Sequence, residues 1–290
     1  MAAMLLPRAV SSRFDRAFPP PPGGQPRAAK VPQITAMFWV LKLLTTGMGE
    51  AMSDFMGQVS VPAAGLIGIG GFVYALRRQL RATEYHAPTY WGAVMMLAVF
   101  GTMVADGLKD GAGLTYAVTT PFYAVIVALI FRSWHRNEGT LSIHSITTRT
   151  REVYYWSAVL ATFALGTAAG DLTAIQLNIG FFGSAALFAV LIAIPGIAWL
   201  LRFNPILAFW TAYVITRPLG ASVVDGFSKP TNGSLDLGDG PVSGVALLAF
   251  VALVVWTAKT RRDIQPPDDE DPHGPGTSLA GFDRTVPASA

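Results

Sequence analysis

Cysteine is absent from all 290 residues. That excludes disulfides, thiolate metal sites, a cysteine nucleophile and iron–sulfur clusters. Charge is scarce: 13% of residues are charged, against roughly 25% in an ordinary soluble domain. Histidine is thin as well. His86, His135 and His144 fall in loops or at the edges of apolar segments, His273 lies near the C-terminus, and no two of them sit at metal-ligand spacing. No Ser–His–Asp set falls at one depth of the chain, so no nucleophile–base pair stands out and the sequence does not read as an enzyme. The run Gly68-Ile69-Gly70-Gly71 follows no strand pattern, and it reads as a helix-packing motif, not a phosphate cradle. No cofactor is implied.

Apolar residues are in excess, at 52% of the chain with a mean hydropathy of +0.44. Together with the sparse charge this indicates an all-α integral membrane protein whose first partner is the lipid bilayer. Eight apolar segments approach the 17–25 residues a spanning helix needs: 34–54, 61–76, 88–106, 114–131, 153–172, 177–201, 205–225 and 242–258. The second is short and rich in glycine. A pI of 9.3 taken alone would suggest a nucleic-acid partner. The positions of the basic residues argue against one. Sixteen fall in the N-terminal stretch, the even-numbered loops and just after the last segment, while the odd-numbered loops hold only Lys109 and Lys229. The positive-inside rule then predicts eight spans with both termini cytoplasmic. Residues 1–29 carry a Pro-rich run and 263–290 mix Pro, Asp, Gly and Ser; both read as disordered cytoplasmic tails around a membrane domain at 30–262.

The odd-numbered segments repeat one another. They read FWVLKLLTTGMGEAMSD from Phe38, YWGAVMMLAVFGTMVAD from Tyr90, YWSAVLATFALGTAAGD from Tyr155 and FWTAYVITRPLGASVVD from Phe209. Each holds Trp (Trp39, Trp91, Trp156, Trp210), then Gly ten residues on (Gly49, Gly101, Gly166, Gly220), then Asp five further (Asp54, Asp106, Asp171, Asp225). Paired with the even-numbered segments they give four units, about 30–82, 83–135, 149–201 and 202–260. Two spans per unit give every unit the same orientation, so the fold expected is eight transmembrane helices as four parallel two-helix repeats. KVPQITAMFWVLKLLTTGMGEAMSD from Lys30 and YYWSAVLATFALGTAAGD from Tyr154 resemble a bacterial family of uncharacterised membrane-anchored proteins defined by a four-fold repeat of unknown function. The resemblance spans roughly residues 30 to 258. It implies the repeat architecture and a bacterial cytoplasmic membrane, and it implies no activity.

Fifteen helical residues rise roughly 22 Å, so Trp at the cytoplasmic interface places Asp in the outer third of the bilayer. The Trp residues serve as interfacial anchors or packing residues. Asp106-Gly107 and Asp225-Gly226 look like helix ends, where a carboxylate could simply meet water. Against that, Asp at a helix C-terminus opposes the macrodipole, and four recurrences call for partners. Positions 7, 11 and 15 after Trp share a face. They are Thr46, Glu50 and Asp54, with Lys42 on the same stripe; Ala98, Thr102 and Asp106; Phe163, Thr167 and Asp171; and Arg217, Ala221 and Asp225. Lys42, Glu50 and Arg217 break the symmetry, as either a specialised site or a buried ion pair, such as Arg217 with Glu50 or Asp54.

Glu50, Asp54, Asp106, Asp171 and Asp225 are the candidate metal ligands. Lys42, Thr46, Thr102, Thr167 and Arg217 are candidate substrate or coupling residues. An oxygen-only set suits H⁺, Na⁺, Mg²⁺, Ca²⁺ or Mn²⁺. Transport of a hard cation is expected, in its preferred form proton-coupled export of a divalent metal. The alternatives are an organic-solute transporter and a non-transporting scaffold or sensor.

Overall fold

The computed structural model describes residues 30–264. The proposed tail at 1–29, and all of the one at 263–290 except Asp263 and Ile264, lie outside the described residues. Eight α-helices follow in order: α1 Ala36–Val59, α2 Val61–Arg81, α3 Ala87–Gly111, α4 Tyr116–Glu138, α5 Arg149–Asp171, α6 Phe181–Leu200, α7 Pro205–Ser228 and α8 Asp239–Thr260. A short 3₁₀ turn, Ile143–Ser145, precedes α5, and a π-helical turn, Leu172–Gln176, follows it.

Local chemistry sets the boundaries. Thr35, Ser60, Thr148 and Asn204 each accept a backbone N–H of the following helix through the side chain, and proline opens α2, α3 and α7. Such caps are worth about 1 kcal/mol each. Ser60 alone joins α1 to α2, in an extended conformation. Gly139 ends α4 at a φ of 71°, where a side chain would be strained. At the end of α2, the Leu80 carbonyl accepts from both Lys30 Nζ and Arg149 Nη1, two cations placed where the helix dipole favours them.

Six helices, α3 to α8, are long and apolar enough to cross a membrane. Lys42 and Glu50 lower the hydropathy of α1, and glycines with Arg77 and Arg78 lower that of α2. Helices run past several of the segment ends read from the sequence. Asp106-Gly107 and Asp225-Gly226 are not helix ends: α3 continues to Gly111 and α7 to Ser228, as α1 continues from Asp54 to Val59. Glycine inside a helix weakens it by about 1 kcal/mol without ending it.

The odd-numbered helices form a closed ring. α1 packs on α3, α3 on α5, α5 on α7, and α7 back on α1. Each even-numbered helix lies outside and packs chiefly on the inner helix of the next unit: α2 on α3, α4 on α5, α6 on α7 and α8 on α1. Burial follows this division. Half or more of the apolar stretches of α3, α5 and α7 is buried (50%, 61% and 56%), against 22%, 28% and 22% for α4, α6 and α8. The outer helices expose Leu66, Ile69, Val125, Leu129, Val190, Ile194, Val245 and Leu248. The inner ring buries Lys42, Thr46, Glu50, Thr102, Thr167 and Arg217. An apolar exterior around a polar interior is the distribution a protein adopts in lipid.

The repeated glycine explains the ring. A Cβ on Gly49 would lie 2.4 Å from Ala98 Cβ; on Gly101, 2.7 Å from Phe163 Cβ; on Gly166, 2.1 Å from Arg217 Cγ; and on Gly220, 2.8 Å from Thr46 Cγ2. Every contact joins the tenth position after Trp on one helix to the seventh after Trp on the next, and the last returns to the first. One small residue per interface, at the same height, lets the four backbones approach and closes the circle.

Candidate functional site

The ring interior is layered. At the Trp end it is filled by aromatic side chains. Phe38 contacts Trp39, Trp91 and Phe209; Tyr90 contacts Trp91 and Trp156; Trp210 contacts Tyr155, Phe209 and Tyr213. Trp91, Trp156 and Trp210 are buried within this plug. They are therefore packing residues, and Trp210 Nε1 donates to the Leu141 carbonyl at 2.9 Å.

The middle layers hold the three residues that break the symmetry. Arg217 Nη2 donates to Glu50 Oε2 at 2.6 Å, and both side chains are within 4% of complete burial. Thr102 and Thr167 Oγ1 also donate to Glu50 Oε2, at 3.0 and 3.2 Å, so three helices serve one carboxylate that α1 supplies. Arg217 Nη1 donates to the Thr46 carbonyl at 3.0 Å, and its Nη2 is also 2.8 Å from Thr167 Oγ1. One turn nearer the Trp end, Lys42 Nζ donates to Thr46 Oγ1 at 3.3 Å. It also faces the rings of Phe163 at 4.1 Å and Tyr213 at 4.2 Å, a cation–π cage around a buried cation.

The opposite end gathers carboxylates. Oxygens of Glu50, Asp54 and Asp225 lie within 4.8 Å of one another. Asp106 and Asp171 belong to the same electrostatic neighbourhood, both facing Glu50 and Asp54, but neither joins that close trio. Tyr116, on α4, lies near Asp171 and Asp106. Asp225 Oδ1 is buried and has no hydrogen-bond partner. Lys229, just beyond α7, binds Asp54 and lies 3.2 Å from Asp239 Oδ2, which also accepts from Gln58 at 2.6 Å. Burial alone would lower the Lys229 pKa; the adjoining Asp54, Asp225 and Asp239 outweigh it and raise the value above an ordinary lysine's.

All ten candidate residues thus line one ring. The residues missed are those that complete it. Lys229 was visible as one of two basic residues in the odd-numbered loops, but nothing in its spacing directed it onto Asp54. Phe163 and Tyr213 stood at the right heights in the repeat and carried no charge to draw notice. Thr120 and Gln176 bond across helices, to the Ala168 carbonyl and from the Ala117 amide, and hold the bundle together.

Three segments, 89–140, 154–202 and 208–263, match the family described as a repeat of unknown function, DUF347. They correspond to the second, third and fourth units. No curated protein and no solved structure gives a match.

Proposed function

The chain belongs to the DUF347 repeat family, and from that premise we propose that it is an eight-span protein of the bacterial cytoplasmic membrane that transports a hard cation. α1 and α2 complete the count: the ionisable residues that make α1 less apolar face the ring, away from lipid. The excess of basic residues at the Trp end supports a cytoplasmic position for that end and for both termini. The Asp end is then an outward-facing vestibule. Its cargo is a divalent ion such as Mn²⁺, bound by carboxylate and hydroxyl oxygen.

The observation that carries this reading is the trio Glu50, Asp54 and Asp225, with a buried Asp225 oxygen that has no partner. The carboxylates outnumber the cations that meet them, Arg217 and Lys229, and a divalent ion would balance the excess. In the state described, aromatic rings close the other end, which fits one half of an alternating-access cycle.

The scaffold reading draws on one observation: Glu50 already has Arg217 and Asp54 already has Lys229. Mn²⁺ binding to purified protein, followed by electron paramagnetic resonance, separates the two. Wild type should bind, and Asp225→Asn or Asp54→Asn should weaken binding about tenfold, one lost charged ligand being worth at least the 1.4 kcal/mol of a decade. Equal binding by all three proteins would remove the site assignment. A reporter fused after Thr260 should read cytoplasmic, and a periplasmic signal would overturn the topology.

A further inference from the structure

Lys42 and the buried tyrosines have no role in holding a cation at the Asp end, yet they occupy the centre of the ring. Tyr90 and Tyr155 share a hydroxyl–hydroxyl hydrogen bond and are each 1% exposed. The Tyr213 hydroxyl, wholly buried, neighbours Tyr155 and makes no regular hydrogen bond of its own. On one side the Tyr213 ring faces Lys42 Nζ. On the other, the Tyr85 ring meets Tyr90 edge-on at 5.7 Å, and the Tyr85 hydroxyl donates to Asp263 Oδ2. Asp263 lines an open cavity of 420 Å³ with Thr35, Met37, Trp256, Thr257 and Arg262.

Polar groups therefore run from a solvent-facing cavity at the Trp end to the carboxylates at the Asp end. Their order is Asp263, Tyr85, Tyr90, Tyr155, Tyr213, Lys42, Thr46 and Glu50. Direct hydrogen bonds join Asp263 to Tyr85, Tyr90 to Tyr155, and Lys42 to Thr46. The intervening steps are an edge-on contact of Tyr85 with Tyr90, the neighbouring Tyr155 and Tyr213, the Tyr213 ring beside Lys42, and one helical turn from Thr46 to Glu50; the route requires a hydroxyl rotation or a transient bridging water at each. The surrounding rings pack against one another. A proton needs only a chain of groups that each accept one and release one.

We propose that this chain is a proton route through the closed end of the ring, with Lys42 as its central carrier. A proton enters at Asp263 from the cavity. Each tyrosine hydroxyl accepts one proton on oxygen and releases its own to the next group. Lys42 passes between amine and ammonium, and the proton leaves over the Thr46 hydroxyl toward the Asp end. The count balances, with one proton in, one out and every hydroxyl restored. Lys42 suits the task because its two aromatic faces stabilise the ammonium while no carboxylate holds it permanently. The use of the route rests on the transport reading above, as the path by which protons move against a cation; its geometry does not.

Proton uptake into proteoliposomes, read by an internal pH dye under an imposed potential, tests it with and without external Mn²⁺. Wild type should carry protons faster than protein-free vesicles in at least one condition. Tyr155→Phe, which keeps the ring and removes the hydroxyl, should reduce the rate about tenfold, and Lys42→Met should abolish it. Tyr154→Phe lies off the route, where its hydroxyl meets Ser133 and Asn137, and should leave the rate unchanged. Mn²⁺ binding, measured separately, should persist in Tyr155→Phe. No wild-type flux in either condition, or equal flux in wild type and Tyr155→Phe, overturns the route. Flux without any Mn²⁺ binding overturns the cation reading and keeps the route.

Discussion

The two ends of the inner ring come from the same four helices in the same register, yet they are filled in opposite ways. At the Trp end, position 0 and its neighbour supply rings from every unit, and the interior closes by packing. At the Asp end, position 15 supplies a carboxylate from every unit, and like charges crowd together. Packed rings gain from proximity through dispersion and edge-to-face geometry. Carboxylates lose from it unless a cation intervenes. A four-fold repeat therefore makes one end self-sufficient and leaves the other dependent on added positive charge. The chain supplies part of that charge itself, through Arg217 on α7 and Lys229 in the loop that follows α7, each provided once and both from the fourth unit.

The sharpest way to break this contrast is to withdraw the buried cation. Arg217→Met leaves Glu50 among threonines with no charge partner. It should cost about 3–5 kcal/mol, the usual penalty for orphaning one member of a buried pair. The double variant Glu50→Leu/Arg217→Met removes both charges and should recover most of that loss. Thermal unfolding in detergent checks both. If the single and double variants unfold together, the pair does not clamp the ring.

A middle-sized effect should separate the ring's contact layer from its lipid-facing surface within one helix. Gly101→Ala places a Cβ 2.7 Å from Phe163 Cβ and must push α3 from α5, at about 1–3 kcal/mol. Gly92→Ala, nine residues earlier on α3, has open space within 4 Å and should stabilise by up to about 1 kcal/mol through helix propensity. Opposite signs in the same unfolding experiment support the glycine seam. A shared sign would remove it.

That seam marks how far the sequence could be read. Repetition made the architecture legible: Trp, Gly and Asp at fixed spacing identified four like units and the face they share. Helix phase then put Lys42, Thr46, Glu50 and Asp54 on one stripe, and the interior position of that stripe followed from the cost of charge in lipid. What spacing within a helix cannot give is which helix stands beside which. The circular order, each glycine receiving the next unit's seventh residue, emerges only in three dimensions. For the same reason the sequence left Arg217 to pair with either Glu50 or Asp54, and the structure places it on Glu50 with Thr102 and Thr167 as further donors. Asp-Gly pairs misled about helix ends because one glycine lowers helix propensity by only about 1 kcal/mol and does not by itself stop a helix.

The smallest effect probes the Asp end at its rim. Lys229 is about a fifth exposed and is held by Asp54 and Asp239. Screening limits such a pair to about 1 kcal/mol or less, so Lys229→Gln should lower stability only slightly. The raised pKa of Lys229 fixes how that difference depends on pH. A lysine whose folded value exceeds its unfolded value contributes fully below the unfolded value, about 10.4, and loses the contribution only as pH rises through the higher folded one. The wild-type advantage should thus be flat between pH 7 and 9. Mn²⁺ affinity should move the other way. The ammonium competes with any ion for Asp54, so Lys229→Gln should tighten Mn²⁺ binding severalfold while slightly weakening the fold. A variant that lost both stability and affinity would make Lys229 a structural strut. One that gained affinity would make it a tethered occupant of the place a divalent ion takes.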